Sequence, residues 1–245
     1  MRFVSRSEVL SRLEGKSIAV VGSGPGALGN APSFVDGHDV VVRVNNYKLS
    51  PAAGFRCDVY FAFFGTSIRK SRDELIRDGV KLCIAKLPNA DVSQKSPENV
   101  QPLDAAWHQR NGKMIGLDYR PHYARRLQAG FWFCNTCVPT VAEFMVGFNL
   151  LGQRMPSTGF AAILDVFAAK PARVHLTGFD FFASGLHNVD EPWKHKNHDD
   201  PYRHAPERER GWLAANIARQ AFEVSTDEVL ARALSLHRAD NTAAA

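Results

Sequence analysis

Histidines concentrate in one polar stretch towards the end of the chain, at His187, His195, His198 and His204. Imidazole is the side chain best suited to move a proton near neutral pH. His204 comes two residues before Pro206, where we predict that a helix begins, and the positive end of a helix favours the neutral ring that can accept a proton. A surface position beside the charged residues 207–210 is the other interpretation of His204.

Two short patterns would suit a metal ion or a redox pair. His195, His198 and Asp199 have a spacing that metal ligands use. Cys134 and Cys137 form a C-x-x-C pattern, but the sequence has no second pair nearby to complete a zinc site. We therefore expect no metal site, and we expect the two cysteines to be small, half-buried thiols.

A glycine-rich loop follows the first apolar run. Residues 24–29 (GPGALG) match G-x-G-x-x-G, whose backbone N–H groups can approach a phosphate. The next apolar run ends in Arg43-Val44-Asn45 and lacks the acidic residue typical of NAD sites, so an NADP-dependent oxidoreductase is one hypothesis. Pro32 would interrupt a long helix after the loop, and a strand-exit turn without a ligand is the alternative.

The elements that position these residues alternate between helices and apolar strands. The pattern predicts helices at 5–14, 71–78, 138–151, 159–169, 206–222 and 226–237, and strands at 17–22, 39–45, 58–64, 80–86 and 173–177. This alternation is typical of an α/β fold with a mostly parallel sheet flanked by helices. Such sheets bind ligands at the carboxyl ends of their strands, so the loops after Gly22, Val44, Phe64 and Gly178 are the candidate sites.

Composition narrows the class of protein further. The 245 residues are 45% apolar, with 30 Lys+Arg against 25 Asp+Glu and a net charge of +5. These values predict one globular domain over 1–245, with a helix within 1–16 and a disordered tail at 239–245. The mild positive charge suits an acidic small partner, and we expect no nucleic-acid partner.

The sequence also gives expectations about location. The polar N-terminus has no signal-peptide pattern, and no apolar run approaches the roughly 18 residues of a membrane span. We expect a cytoplasmic protein, and the positive charge leaves peripheral association with the inner membrane open.

Three stretches resemble motifs of the animal-type sialyltransferases, glycosyltransferase family 29. Residues 18–45 resemble the large motif: an apolar strand, a glycine loop, the turn Val35-Asp36-Gly37-His38 and a strand ending in Arg43-Val44-Asn45. Residues 155–159 (MPSTG), continuing to Thr177-Gly178-Phe179, resemble the small motif. His204 and Glu209 keep the His-x-x-x-x-Glu spacing of the last motif. The resemblance covers about 17–65 and 155–210, whereas residues 66–154 match nothing in the family.

The chain departs from the family pattern at several positions. Ser23 stands where the family usually has Asn, and Ile18 and about Pro171 stand where animal members have a disulfide. The third motif is blurred, and His187 matches it best. The departures fit a compact, soluble, microbial-looking member, and they leave open a non-catalytic relative that only binds a nucleotide or glycan.

The resemblance implies a single GT-A-like, Rossmann-type domain that transfers a sialic acid, or a related ulosonic acid such as Kdo, from its CMP ester. The acceptor would be a hydroxyl of a glycan or glycolipid, and the transfer would proceed with inversion and without a metal or other cofactor. His204 would be the base, His187 would donate to the leaving phosphate, and Glu209 would orient the imidazole or support the loop. The nucleotide-binding residues would be Ser23, Gly24, Asn45, Ser157, Thr158, Gly159, Gly178 and Phe179.

Overall fold

The computed structural model describes residues 2–30, 32–63, 70–90, 118–152, 154–183, 186–188, 191–192 and 204–242. Within these ranges, eight strands form one sheet in which every pairing is parallel. They are β1 Phe3–Val4, β2 Ser17–Val21, β3 Val40–Val44, β4 Val59–Ala62, β5 Leu82–Ala85, β6 Asn135–Cys137, β7 Arg173–Thr177 and β10 Glu223–Thr226. Two further strands, β8 Leu186–Asn188 and β9 Glu191–Pro192, form a separate antiparallel pair.

The strand order β1-β6-β5-β4-β3-β2-β7-β10 reverses direction at β2. From β2 the chain adds β3 to β6 on one side, and it then crosses over to place β7 and β10 on the other side. Val20 of β2 therefore pairs with Val42 of β3 and with Leu176 of β7. Parallel α/β sheets bind ligands beside such a reversal, at the carboxyl ends of the strands.

The α-helices in the described ranges are α1 Arg6–Leu13, α2 Pro32–Asp36, α3 Arg72–Arg77, α4 Arg120–Gln128, α5 Val141–Leu150, α6 Thr158–Ala168, α7 Pro206–Asn216 and α8 Glu228–Thr242. They cover both faces of the sheet because the strand residues alternate between two apolar cores. Ile18 and Val20 pack with α1, α6, α7 and α8 on one face, whereas Ala19 and Val21 pack under the glycine loop and α2 on the other. Helices α3 and α4 extend this second face over β4 and β5.

The expected α/β architecture is confirmed, and its errors lie near the C-terminus. The helix predicted at 206–222 ends at Asn216 and is followed by a 3-10 turn at Ile217–Arg219 and by β10. Strand β10 was missed because its sequence, EVST, contains one apolar residue and forms a half-exposed sheet edge. The last helix continues to Thr242, so residues 239–242 are helical and only 243–245 of the expected tail lie outside the described ranges.

Short elements and capped helix starts account for the other differences. Strands β1 and β6 have two and three residues, too few to show a pattern. Helix α5 begins at Val141, after the predicted residue 138, because Thr140 and Glu143 form a capping box there. Residue 64 of the predicted 58–64 strand lies outside the described residues.

Candidate functional site

A pocket opens at the carboxyl ends of β2, β3 and β7, where the strand order reverses. Its lining includes every predicted nucleotide-binding residue, together with the predicted catalytic residues His204 and Glu209. Four lining residues were not predicted: Val44, which ends β3, and Asp180, Phe181 and Phe182. The backbone of His187 lies in β8, and its side chain is outside the described part of the chain.

Close backbone contacts between β2 and β7 form the floor of the pocket. The N–H of Gly22 donates to the carbonyl of Thr177 at 2.8 Å, and the N–H of Gly24 donates to the carbonyl of Gly178 at 3.0 Å. A Cβ on Gly22 would lie 2.2 Å from the Gly178 carbonyl oxygen, so only glycine fits this approach. The Gly24 N–H is therefore bonded to main chain in this structure, and Gly24 lines the pocket.

Glu209 forms two hydrogen bonds to Ser157, the residue directly before α6. Its Oε1 accepts from the Ser157 N–H at 2.6 Å, and its Oε2 accepts from the Ser157 hydroxyl at 2.7 Å. The same hydroxyl accepts from the Phe160 N–H, so Ser157 is also the N-cap of α6. Glu209 therefore holds the backbone and the hydroxyl of Ser157 at the start of α6. Ser157 itself offers these two donors to Glu209, which leaves Thr158 and Gly159 as the residues of the turn that face a ligand.

Burial dominates the electrostatics of Glu209. The side chain is 1% exposed, and burial raises its pKa from 4.5 to about 7. The hydrogen bonds from Ser157 and the positive charge of Lys86 oppose this rise in pKa. Glu209 is therefore a carboxyl group whose charge depends on its immediate partners near neutral pH.

His204 lies beside α7, as predicted, and its ring is oriented by backbone. Nδ1 is 3.2 Å from the Met155 carbonyl oxygen, which can only accept a hydrogen bond. In the neutral ring the proton therefore lies on Nδ1 and the lone pair lies on Nε2. The Phe182 ring lies parallel to the imidazole, with the two ring centres 6.2 Å apart.

Strained backbone also concentrates at this pocket. Asn45, Phe181 and Phe182 have φ values of 47°, 51° and 62°, in the left-handed region that non-glycine residues rarely adopt. All three line the pocket. The Asn45 Oδ1 accepts from the Phe63 N–H at 3.0 Å, so the amide oxygen holds the β4 loop and the amide nitrogen remains for a ligand. Strain of this kind is typical of binding sites, and no sequence pattern indicated it at Phe181 and Phe182.

Asp227 is a supporting residue that the sequence analysis missed. Its Oδ2 accepts from the Thr177 hydroxyl at 2.7 Å and from the Gly178 N–H at 2.8 Å. Its Oδ1 accepts from the Leu230 N–H at 2.7 Å, which caps the first turn of α8. One carboxylate thus fixes the β7 loop to the start of α8. An acidic residue directly before a helix was the available signal.

The expected thiol pair has a different arrangement from the C-x-x-C pattern. Cys137 belongs to the core on one face of the sheet and Cys134 packs against the core on the other, because an odd spacing along a strand puts side chains on opposite faces. The Sγ of Cys134 is instead 3.4 Å from the Sγ of Cys83. Cys134 is half-buried as expected, whereas Cys137 is buried.

Within the described ranges, no group of three or more His, Cys, Asp or Glu side chains is arranged to hold a metal ion. His195, His198 and Asp199 lie outside these ranges. None of the described helices combines the length and the hydropathy needed to cross a bilayer.

The sheet order and the position of the pocket define a Rossmann-type α/β domain with a ligand site at the strand reversal. No protein-family model matches the chain, and no curated protein matches its sequence. Among solved structures, the monofunctional α-2,3-sialyltransferase Cst-I from Campylobacter jejuni is 13% identical with a TM-score of 0.50, covering 92% of this chain and 78% of that one. This likeness shows a shared fold, in keeping with the expected α/β architecture of a mostly parallel sheet flanked by helices.

Two other similar structures are sialyltransferases as well. CstII from Campylobacter jejuni in complex with CMP-3FNeuAc is 14% identical with a TM-score of 0.49, covering 86% of this chain and 81% of that one. A mammalian sialyltransferase in complex with Gal-beta-1-3GalNAc-ortho-nitrophenol is 16% identical with a TM-score of 0.46, covering 89% and 77%.

Proposed function

We propose that this protein transfers a sialic acid, or a related ulosonic acid such as Kdo, from its CMP ester to a hydroxyl group of a glycan or glycolipid. The observation that carries the proposal is the convergence of three separate motif-like stretches on one pocket. Residues of 18–45, of 155–179 and of 204–209 meet at the carboxyl ends of β2, β3 and β7. The fold shared with the sialyltransferase Cst-I supports the same class of reaction.

The donor would occupy the pocket with its phosphate near the start of α6. Thr158 and Gly159 lie in the first turn of this eleven-residue helix, whose N–H groups and dipole favour an anion. The Asn45 amide nitrogen can donate to the phosphate or to the ribose. Ser23, Gly178 and Phe179 would line the nucleoside.

His204 would remove the proton from the acceptor hydroxyl. Because Nδ1 donates to the Met155 carbonyl, the lone pair of the neutral ring lies on Nε2, the atom that would take up this proton. The acceptor oxygen forms a bond to the anomeric carbon as the bond from that carbon to the phosphate oxygen breaks. The acceptor proton goes to Nε2, and CMP leaves with the bonding electron pair. A single displacement of this kind inverts the anomeric centre and requires no metal.

His187 would assist the departing phosphate by donating a hydrogen bond, which is a role that the resemblance implies. A donor aimed at charge that develops in the transition state contributes most where water is excluded. The acceptor would be a glycan or a glycolipid head group, in keeping with a cell-surface polysaccharide pathway, and peripheral membrane association would suit a lipid-borne acceptor.

The alternative of an NADP-dependent oxidoreductase receives less support from the fold. In the dinucleotide fingerprint, the glycine loop leads directly into a helix whose N-terminus holds the pyrophosphate. Here the G-x-G-x-x-G stretch forms a 3-10 turn at Pro25–Gly29, and the helix that follows, α2, has only five residues. The letters of the pattern therefore match without its structure.

Titration calorimetry in EDTA tests the proposal, with CMP, CDP, UMP and NADP⁺ as ligands. We expect CMP to bind to the wild type and to His204→Ala with affinities within about threefold, since the imidazole would act on the acceptor. Transfer from a panel of CMP-activated acidic sugars should fall by about 10²–10⁴-fold in His204→Ala, the usual contribution of a general base.

His204→Asn is the matched control, because its amide can still donate to the Met155 carbonyl but cannot take up a proton. Turnover by His204→Asn at the wild-type rate would refute the role of His204 as base. Binding of NADP⁺ without CMP would refute the donor. Binding of CMP by the wild type without transfer from any of the sugars would favour a non-catalytic nucleotide-binding protein.

A further inference from the structure

Lys86 is a buried cation next to the pocket that the proposed chemistry does not use. It follows β5 directly and is 4% exposed. Its Nζ donates to the Pro156 carbonyl at 2.8 Å and lies 5.0 Å from the ring centre of Phe63. Burying an ammonium group is costly unless specific partners offset the loss of hydration, so its partners indicate what the position requires.

The carbonyl that Lys86 holds belongs to the peptide group between Pro156 and Ser157. The N–H of this same peptide group donates to Glu209 at 2.6 Å. One peptide plane therefore has the Lys86 amino group at its oxygen and the Glu209 carboxyl group at its N–H. Near pH 7, where the pKa values of both groups lie, either charge strengthens the hydrogen bond to the end of the peptide dipole that it touches, since charge-assisted hydrogen bonds are about twice as strong as neutral ones.

The two charged groups also affect each other across this peptide. Burial lowers the pKa of Lys86 to about 7, and the negative charge of Glu209 opposes that fall. The positive charge of Lys86 in turn opposes the rise of the Glu209 pKa. Loss of either group would therefore leave the other as a buried charge without this compensation.

The peptide lies at the start of α6, directly before Thr158 and Gly159, which line the pocket. Its orientation determines where the first free N–H groups of the helix point. We infer that Lys86 and Glu209 form a charged clamp on the Pro156–Ser157 peptide, and that Lys86 is a positioning residue for the donor phosphate at the start of α6. The role of the phosphate rests on the proposed function, whereas the clamp itself does not.

Lys86→Met tests the clamp because methionine keeps the length and apolar character of the side chain and removes the ammonium group. Amide hydrogen exchange of Ser157 and Phe160 is measured by NMR in the ligand-free protein, and CMP affinity is measured by calorimetry. We expect exchange at both amides to be about tenfold faster and CMP binding to be about tenfold weaker. Lys81→Met, which removes a 79% exposed lysine side chain, is the control and should change neither quantity.

A double-variant cycle separates the clamp from simple space filling. If the two groups act on one peptide, Lys86→Met combined with Glu209→Gln should weaken CMP binding by at least about fivefold less than the product of the single effects. Independent structural roles would instead give effects that multiply. Multiplying effects would overturn the clamp.

The two proposals fail in different ways. A wild type that binds no CMP contradicts the proposed function, and the exchange data still decide on the clamp. Wild-type exchange rates at Ser157 and Phe160 in Lys86→Met overturn the clamp whatever the CMP affinity is. If Lys86→Met does not fold, Lys86→Gln, which removes the charge but keeps an N–H donor, is judged by the same exchange criterion.

Discussion

Glu209→Gln should change the pH dependence of stability in a direction that the burial of Glu209 determines. Burial raises the Glu209 pKa from 4.5 to about 7 in the folded protein. Between these two pH values, the unfolded chain has lost its proton while the folded protein keeps it. The wild type therefore loses stability as the pH rises through this window, whereas glutamine, which does not titrate, avoids the loss.

The magnitude follows from the size of the rise in pKa. A rise from 4.5 to about 7 corresponds to about 3 kcal/mol at about 1.4 kcal/mol per pKa unit. At pH 5 the protonated Glu209 resembles glutamine, because both are neutral and offer one carbonyl oxygen to the Ser157 N–H. The variant and the wild type should then be similarly stable at pH 5. At pH 8 Lys86, whose pKa burial lowers to about 7, has mostly lost its charge, so the variant leaves no buried cation uncompensated and should be the more stable by about 3 kcal/mol.

Urea unfolding at pH 5 and pH 8 measures this difference, with free energies of unfolding extrapolated to water. Glu207→Gln is the matched control, since Glu207 is on the same turn of α7 but exposed. It shows what the removal of an exposed carboxyl group from this turn does to the free energy of unfolding at each pH. If Glu209→Gln and the wild type show the same change in the free energy of unfolding between the two pH values, the pKa of Glu209 is the same in the folded and the unfolded protein. That result would refute the burial argument.

Two other substitutions test the support of the pocket floor. Gly22→Ala would put a Cβ 2.2 Å from the Gly178 carbonyl oxygen and should cost about 2–4 kcal/mol in urea unfolding, whereas Gly29→Ala meets no atom within 4 Å and should be tolerated. Asp227→Ala removes the acceptor of the Thr177 hydroxyl and the Gly178 N–H and should cost about 3 kcal/mol. A wild-type melting midpoint for Gly22→Ala would contradict the close approach at Gly22. A free energy of unfolding of Asp227→Ala within about 0.5 kcal/mol of the wild-type value would contradict the role of the Asp227 contacts.

The sequence predicts the centre of the sheet well because its strands carry a strong local signal. Ser17–Val21 and Val40–Val44 are apolar apart from Ser17 and Arg43, as is typical of buried parallel strands. The edge strand Glu223–Thr226 has no such run, because one face of it meets solvent and its position depends on pairing with β7. Pairing between distant segments leaves no periodic pattern in the sequence.

The same distinction applies to the pocket. Residues in motifs, such as Ser157 and Glu209, could be predicted as site residues from spacing and resemblance. Their mutual hydrogen bonds could not, since 52 positions separate them. Lys86 lies in a stretch without any motif. It follows β5, and the fold brings this strand end close to Pro156, which is 70 positions away in the sequence. Its isolation in the sequence explains why it was missed.

Three ionisable side chains at or beside the pocket form hydrogen bonds to main-chain groups. Asp227 holds the Gly178 N–H, and Glu209 and Lys86 hold one peptide group at Ser157. Each of these three hydrogen bonds fixes a segment of main chain that borders the pocket, and the proposed donor site uses none of them. A site built from main-chain groups needs such support, because a backbone donor can be aimed only by fixing its neighbours. The spacing of His204 and Glu209 therefore joins a candidate base to the residue that holds the binding loop in place.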